Sequence, residues 1–360
     1  MYLQTSKFEV LSMIGQSSAH QVFKAQHNLT SQLYAIKMEK CPNSGQIENE
    51  FKVLKELDEI EGIPKIINYG MTPDNKSFLI MPLLNCNLHD VLICQELSLS
   101  QVLAIGLNII ETLEKIHLKQ ILHLDIKPEN IMLSQTIQNT SIDQLLKPGF
   151  IQIIDFGLSQ SLENLKNQKN LFIGSLNFAS RASHKGEYLS FKDDLESLLY
   201  VLVYLRNYKL PWSQLISKEF TNSEIKSIGE MKTSLFNKIA LYDKFPQEFL
   251  KFMSYIDTLK QDKIPDYSYV KSLFITMLQT KSSSQILDQF QNQTYISSII
   301  QAINSETVQI PVQQNLSNQL SIENQLQEDI IENDDQMICL SDMIWKYSTV
   351  KIKSILDIKY

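Results

Sequence analysis

His123–Asn130 reads HLDIKPEN, and the fold that we predict for the chain follows mainly from this motif. After a polar insert, Ile151–Gly157 reads IQIIDFG, and each stretch adjoins an apolar run typical of a short buried strand. Together they supply two aspartates, a lysine and an asparagine, which suit the positioning of two reactants and the neutralisation of phosphoryl charge. Each pattern alone arises by chance in about a few per cent of chains of this length, whereas the ordered pair is far rarer.

The composition limits the class of protein. The 360 residues are 43% hydrophobic, which is enough for a two-lobed core with residues left over for a tail. The net charge of -7 argues against a nucleic-acid partner, because phosphate contacts need clustered lysines and arginines. We expect no membrane span, because no apolar run reaches the roughly 18 residues that one requires. The four cysteines lack metal-binding spacing and the first residues lack an apolar signal core, so we expect a cytoplasmic or nuclear protein.

Hydrophobic periodicity predicts a sheet in the first part of the chain. Apolar and polar residues alternate in three short runs, which are Phe8–Ile14, His20–His27 and Gln32–Glu39. A helical pattern follows at Gln46–Ile60, and Gly62 ends it. Ser77–Met81 then predicts one more buried strand, which leads into a hinge.

Two long apolar helices, predicted at Ser100–His117 and Asp193–Arg206, indicate a larger helical lobe. The predicted fold class is therefore α+β, with a small antiparallel-sheet lobe and a larger, mainly helical lobe. Gln285–Gln336 contains 12 Gln and 6 Asn and no Gly, so it buries too little apolar surface to fold alone. We assign 1–84 to the first lobe and hinge, 85–280 to the second lobe, and 281–360 to a polar, mostly disordered tail.

The two opening motifs resemble the active centre of protein kinases. In that chemistry Asp125 accepts the proton of a protein hydroxyl group, and Lys127 lies against the transferred phosphate. Asn130 and Asp155 then bind magnesium. The alternative is that both aspartates are ordinary loop and turn acids, but the pairing of the motifs favours the catalytic interpretation.

Tyr34–Lys37 ends a predicted strand in the pattern of the kinase lysine strand, so Lys37 is the candidate for the inner phosphates of a nucleotide. Its partner must be a carboxylate on the next helix, where both Glu48 and Glu50 lie. We choose Glu50, twelve residues before Gly62, because Gly62–Pro64 matches the family described below after its first helix, and this match places Glu50 at the ion-pair position. Taken alone, a lysine on a strand is as often a solvated charge at a sheet edge as it is a functional residue.

The expected phosphate loop retains only part of its sequence pattern. Of the pattern G-x-G-x-x-G-x-V, only Gly15 and Val22 remain, while Ser17 and His20 stand at the other glycine positions. Glycine is preferred there because a bare backbone approaches phosphates closely. A charged His20 would favour phosphate, and the alternative is an inert loop histidine.

Four further segments narrow the resemblance. They are Gly174–Ser180 (GSLNFAS), Asp193–Ser197 (DDLES), Leu210–Trp212 (LPW) and Pro265–Tyr269 (PDYSY), and the usual A-P-E motif is absent. With these segments, roughly residues 5 to 279 resemble the casein kinase 1 family.

The resemblance implies a kinase that uses ATP and magnesium on Ser and Thr of acidic or already phosphorylated proteins, and we expect a monomer. It also implies that Asp194 braces the catalytic loop and that Asp90 reaches the ribose. Met81 would lie behind the adenine, with the hinge at Pro82–Leu84. The implied nucleotide-binding set is Ile14, Gly15, Val22, Ala35, Lys37, Met81, Leu83, Leu84, Asp90, Met132 and Ile154.

Two departures from the family bear on control and specificity. Leu124 replaces the arginine before the catalytic aspartate, so we expect no control through a phosphate on the activation loop. Asn177 stands where the family has an anion-binding arginine, which leaves a preference for pre-phosphorylated substrates open.

The rival to an active kinase is a pseudokinase scaffold. It is supported by the loss of two glycines from the phosphate loop. The presence of Lys37, Asp125, Asn130 and Asp155 favours catalysis instead.

Overall fold

The alternating pattern of the first lobe forms a five-stranded antiparallel sheet. Its strands are β1 (Phe8–Gln16), β2 (His20–His27), β3 (Leu33–Glu39), β4 (Asn68–Met71) and β5 (Ser77–Pro82), in the spatial order β1-β2-β3-β5-β4. The sequence did not predict β4, because its four residues are exposed or half-buried and do not alternate.

The structure is a computed structural model that describes residues 7–138, 140–165, 170–216, 221–261 and 263–280. These residues all belong to one unit, Met1–Gln289. The predicted tail, 281–360, lies outside the described residues.

Helix α1 (Gln46–Glu56) packs beneath the sheet through Ile47, Val53 and Leu54. The sequence predicted that this helix continues to Ile60, which is wrong. Asp58 follows the last turn, and a carboxylate at the negative end of a helix dipole disfavours a further turn.

The second lobe is mainly helical. Its helices are α2 (Leu88–Cys94), α3 (Leu99–Leu118), α4 (Ile142–Leu145), α5 (Leu162–Leu165), α6 (Arg181–His184), α7 (Phe191–Asn207), α8 (Asn222–Leu235), α9 (Gln247–Thr258) and α10 (267–280). Short strands cross its upper surface: β6 (Cys86–Asn87), β7 (Ile121–Leu122), β8 (Ile131–Leu133), β9 (Ile151–Ile153) and β10 (Gln160–Ser161). The predicted two-lobed α+β fold is confirmed.

Helices α3 and α7 form the centre of this lobe because both are apolar on nearly every face. Helix α3 begins with a capping box in which Ser98 and Gln101 each bind the other's backbone N–H. Asn108 of α3 donates to the carbonyls of Leu145 and Lys147, which fixes the polar insert between the two opening motifs. In the described part of the chain, no helix combines the length and the apolar content that crossing a bilayer needs.

Candidate active site

In the predicted catalytic loop, His123–Asn130, the carboxylate of Asp125 accepts hydrogen bonds from three side chains. Its Oδ1 accepts from Ser175 Oγ at 2.7 Å. Its Oδ2 accepts from Lys127 Nζ at 2.6 Å and from Asn130 Nδ2 at 3.1 Å. The fold therefore brings together Asp125, Lys127 and Asn130, as the sequence predicted. It also adds Ser175, a residue of the GSLNFAS segment to which the sequence gave no role.

Asp194, on α7, holds this loop by accepting hydrogen bonds from its backbone. Its carboxylate accepts from the backbone N–H groups of His123 and Leu124, both at 2.8 Å, and from His117 Nε2 at 2.9 Å. Although burial favours the neutral acid, the hydrogen bond from His117 and the nearby imidazoles keep the pKa of Asp194 below its ordinary value. His117 in turn contacts the hydroxyl of Tyr267, so the PDYSY segment supports the catalytic loop through two side chains.

Leu124 occupies the position where kinases usually place an arginine. Its φ is +67°, in the left-handed region, and its side chain is buried in an apolar cluster with Leu165 and Phe191. Gly174 passes so close that a Cβ there would lie 2.7 Å from the Leu124 carbonyl oxygen. Gly174 belongs to the stretch between Asp155 and Arg181, which we call the activation segment. This segment therefore meets the catalytic loop through backbone and apolar contacts at Gly174.

A second cluster joins the first lobe to the predicted metal-binding turn, which begins at Asp155. Lys37 Nζ lies 2.6 Å from Glu50 Oε2 and 2.7 Å from Asp155 Oδ1. Glu48 instead forms an exposed pair with Lys52. Although burial favours the neutral amine, the two carboxylates raise the pKa of Lys37, so the amine stays charged.

The metal-binding turn is tied to both clusters. Glu50 Oε1 accepts from the backbone N–H of Phe156 at 3.3 Å. The Ile154 N–H donates to the Asn130 carbonyl at 2.9 Å, and its own carbonyl accepts from His123 Nε2 at 3.0 Å. These backbone bonds hold the strand before Asp155 against the catalytic loop.

Asp155 and Asn130 suit a hard divalent cation. Asp155 remains ionised because, although burial opposes this, Lys37 holds the pKa of its carboxyl far below the ordinary value. Asn130 directs its amide nitrogen to Asp125, which leaves the amide oxygen as the atom that could bind a cation. Carboxylate and amide oxygens are the ligands that Mg²⁺ prefers.

Sheet register places the predicted nucleotide-binding residues of the first lobe on one face. Val22 pairs with Lys37, and Ala35 pairs with Met81, so their side chains share a face. The apolar residues predicted to contact adenine or form the hinge are all partly exposed: Val22, Ala35, Met81, Leu83, Leu84, Met132 and Ile154. Several of these side chains are partly exposed although their neighbours along the strand are buried, as expected for the wall of an open cleft.

Three further residues were predicted to contact the nucleotide, namely Ile14, Gly15 and Asp90. Ile14 is exposed, and Gly15 pairs with Val22 at the end of β1. Asp90 is exposed, and its carboxylate accepts from Asn87 Nδ2 at 2.8 Å. Burial and then the charge of Lys37 lower the pKa of His20 to about 4, which favours the neutral imidazole at neutral pH.

Comparison with known proteins gives the family. A family model described as "Protein kinase domain" matches residues 8–265. The chain belongs to the protein kinase family. It is 29% identical to casein kinase I homolog 1 of Schizosaccharomyces pombe over 77% of its own length, and it spans 62% of that protein. For homolog 2 of the same yeast the identity is 27%, over 77% of this chain and 64% of the relative.

A probable casein kinase I homolog of Encephalitozoon cuniculi is 27% identical over 78% of this chain, which spans 92% of that relative. The kinase thus resembles casein kinase I homologues, as its sequence motifs predicted. None of these matches supports the pseudokinase alternative.

The activation segment of this kinase is anchored by a buried lysine that the sequence did not reveal. Lys232 of α8 has no exposed surface, and its Nζ donates to the carbonyls of Leu176 at 2.9 Å and Ala179 at 2.6 Å. Asn177, between them, accepts from the Trp212 indole through its carbonyl and from Ser213 through its amide oxygen, both at 2.9 Å. The GSLNFAS and LPW segments are therefore bound directly to each other.

Proposed function

We propose that this chain is a serine/threonine protein kinase of the casein kinase 1 type, which transfers the γ-phosphate of ATP to hydroxyl groups of proteins. The observation that carries the proposal is the Asp125 carboxylate, with Lys127, Asn130 and Ser175 as donors at 2.6 to 3.1 Å. A carboxylate that accepts these bonds is held in one orientation, which a group that must accept a proton from a bound hydroxyl needs.

In this proposal Asp125 accepts the proton of the attacking hydroxyl group. The hydroxyl oxygen bonds to the γ-phosphorus as the bond to the β-phosphate oxygen breaks, and ADP leaves. Lys127 lies against the transferred phosphate, and Lys37, oriented by Glu50, binds the inner phosphates. Magnesium, when bound by Asp155 and Asn130, neutralises charge on the phosphate oxygens.

The adenine is proposed to lie against the partly exposed apolar residues of the cleft, with Met81 behind it. The hinge backbone at Leu83 and Leu84 would face its edge, and Asp90 would reach the ribose. Ile14 and Gly15 would close the cleft from β1.

Phosphate transfer to casein tests the proposal, because the names of the relatives include casein. Purified wild-type chain with labelled ATP and magnesium is expected to label casein, and Asp125→Asn is expected to lower the rate by about a hundredfold or more. Asp143→Asn, an exposed acid of α4, is the matched control and should keep the wild-type rate. Equal labelling by wild type and Asp125→Asn would end the enzyme proposal.

The pseudokinase alternative is favoured by one feature, the phosphate loop without its second and third glycines. The same assay separates the two proposals. A chain that binds ATP but labels no protein substrate would be a scaffold.

We also propose the substrate class, the oligomeric state and the cellular location of this kinase. We expect acidic protein substrates, a monomer, and no nucleic-acid partner at a net charge of -7. Cys41, Cys86 and Cys94 are free thiols, which favours the reducing cytoplasm or nucleus.

A further inference from the structure

The phosphate loop folds into a tight turn that uses its own backbone donors. The Ser17 N–H donates to the His20 carbonyl at 2.9 Å. Ser17 Oγ accepts from the backbone N–H groups of Ala19 and His20, both at 3.2 Å. Lys40 reinforces the turn by donating to the Ser17 carbonyl. The backbone N–H groups of Ser17, Ala19 and His20 are therefore already bonded within the loop.

The side chain of His20 lies on the nucleotide face of the sheet. Strand β2 pairs with β3 without interruption, His20 opposite Glu39 and Val22 opposite Lys37. Alternate residues of a strand share a face, so His20 and Val22 lie on the same side as Lys37. The charges of Lys37, Asp155 and Lys127 all act on the His20 imidazole, which agrees with this placement.

The hydrogen bonds of Ser17 fix which imidazole nitrogen carries the proton. Because Ser17 Oγ already accepts two N–H bonds, its own proton goes to His20 Nδ1, 3.0 Å away. The ring is neutral at pH 7, since burial and the charge of Lys37 lower the pKa of His20 to about 4. A neutral ring that accepts at Nδ1 must be a donor at Nε2.

We propose that His20 binds a phosphate oxygen of the nucleotide through its Nε2–H group, in place of the backbone donors that the loop has lost. This inference rests on the proposed function, because it concerns the same nucleotide. It makes His20 a binding residue that discriminates nucleotides from adenosine, with Ser17 as the residue that orients it.

Equilibrium binding to the full chain tests this proposal. His20→Phe keeps a ring of similar size but removes the donor, and His20→Ala removes both. Each is expected to weaken magnesium–ATP and magnesium–ADP binding by about tenfold or more, since the bond is to a charged acceptor. Adenosine binding should stay within about twofold of wild type, because no phosphate is present. Gln21→Ala, on the opposite face of β2, is the matched control and should bind all three ligands as wild type does.

Three outcomes would overturn the role of His20. They are wild-type ATP affinity in His20→Phe, tighter ATP binding in His20→Ala, and an equal loss of ATP and adenosine binding. Failure of the proposed function has a different signature, which is wild-type chain that binds ATP without labelling casein. Wild-type chain that binds no ATP would overturn both proposals.

Discussion

Arg181 and Glu196 form a two-pronged ion pair between the end of the activation segment and α7. The Arg181 guanidinium donates from Nε to Oε1 at 3.0 Å and from Nη2 to Oε2 at 3.2 Å. It also donates to Asp257 at 2.8 Å and lies over the Phe236 ring. The kinase lacks the A-P-E motif, and this pair ties the end of its activation segment to the helical lobe.

We predict that Glu196→Gln lowers the free energy of unfolding by about 3 kcal/mol, because the Arg181 charge loses its buried counter-charge. Urea unfolding of the purified chain measures it. Glu230→Gln, whose partner Lys226 is exposed and 3.9 Å away, should change stability by less than about 0.5 kcal/mol. Equal losses in the two variants would contradict a special role for the pair.

The choice between two glutamates of α1 gives a second prediction. Glu50→Gln is expected to lower kcat/KM for phosphate transfer by about a hundredfold, because Lys37 loses the carboxylate that orients it. Glu48→Gln should retain wild-type kinetics, since Glu48 pairs with exposed Lys52. Steady-state assays at varied ATP concentration make the comparison. Similar rates for both variants would show that the ion pair does not position Lys37.

A third prediction concerns pH. Burial raises the pKa of Asp193 to about 7, although the Ser180 hydroxyl and the Ser190 N–H favour the carboxylate. Between the unfolded pKa of about 4 and this folded value, the folded state binds a proton that the unfolded state does not. This carboxyl therefore makes stability fall as pH rises through that window, and the loss persists above it.

Asp193→Asn should remove this fall, because the amide does not titrate and its oxygen can still accept from Ser190. The stability of the variant relative to wild type should then rise by up to about 4 kcal/mol from about pH 4 to about pH 8. Urea unfolding across this range gives the difference, with exposed Asp143→Asn as control. A constant difference between Asp193→Asn and wild type would refute the raised pKa.

Local sequence was enough for the main elements. The strand at His20–His27 and the two long helices follow from side-chain periodicity, which is a property of each segment by itself. Strand β4 was missed because it has no periodic signal, and the end of α1 was misplaced because the apolar spacing continues to Ile60, beyond the last turn of the helix. Asp125, Lys127 and Asn130 could be found together because they are close in sequence and share one loop.

The two-lobed kinase fold and the chemical groups of the predicted active site could be inferred from the sequence alone, because motif spacing and hydrophobic periodicity are properties of neighbouring residues. Which distant groups meet depends on the packing of the whole domain. Packing brings Ser175 to Asp125, Lys232 to the carbonyls of Leu176 and Ala179, and His20 to the same face of the sheet as Lys37. Such contacts depend on how helices and strands pack, and no local pattern encodes them.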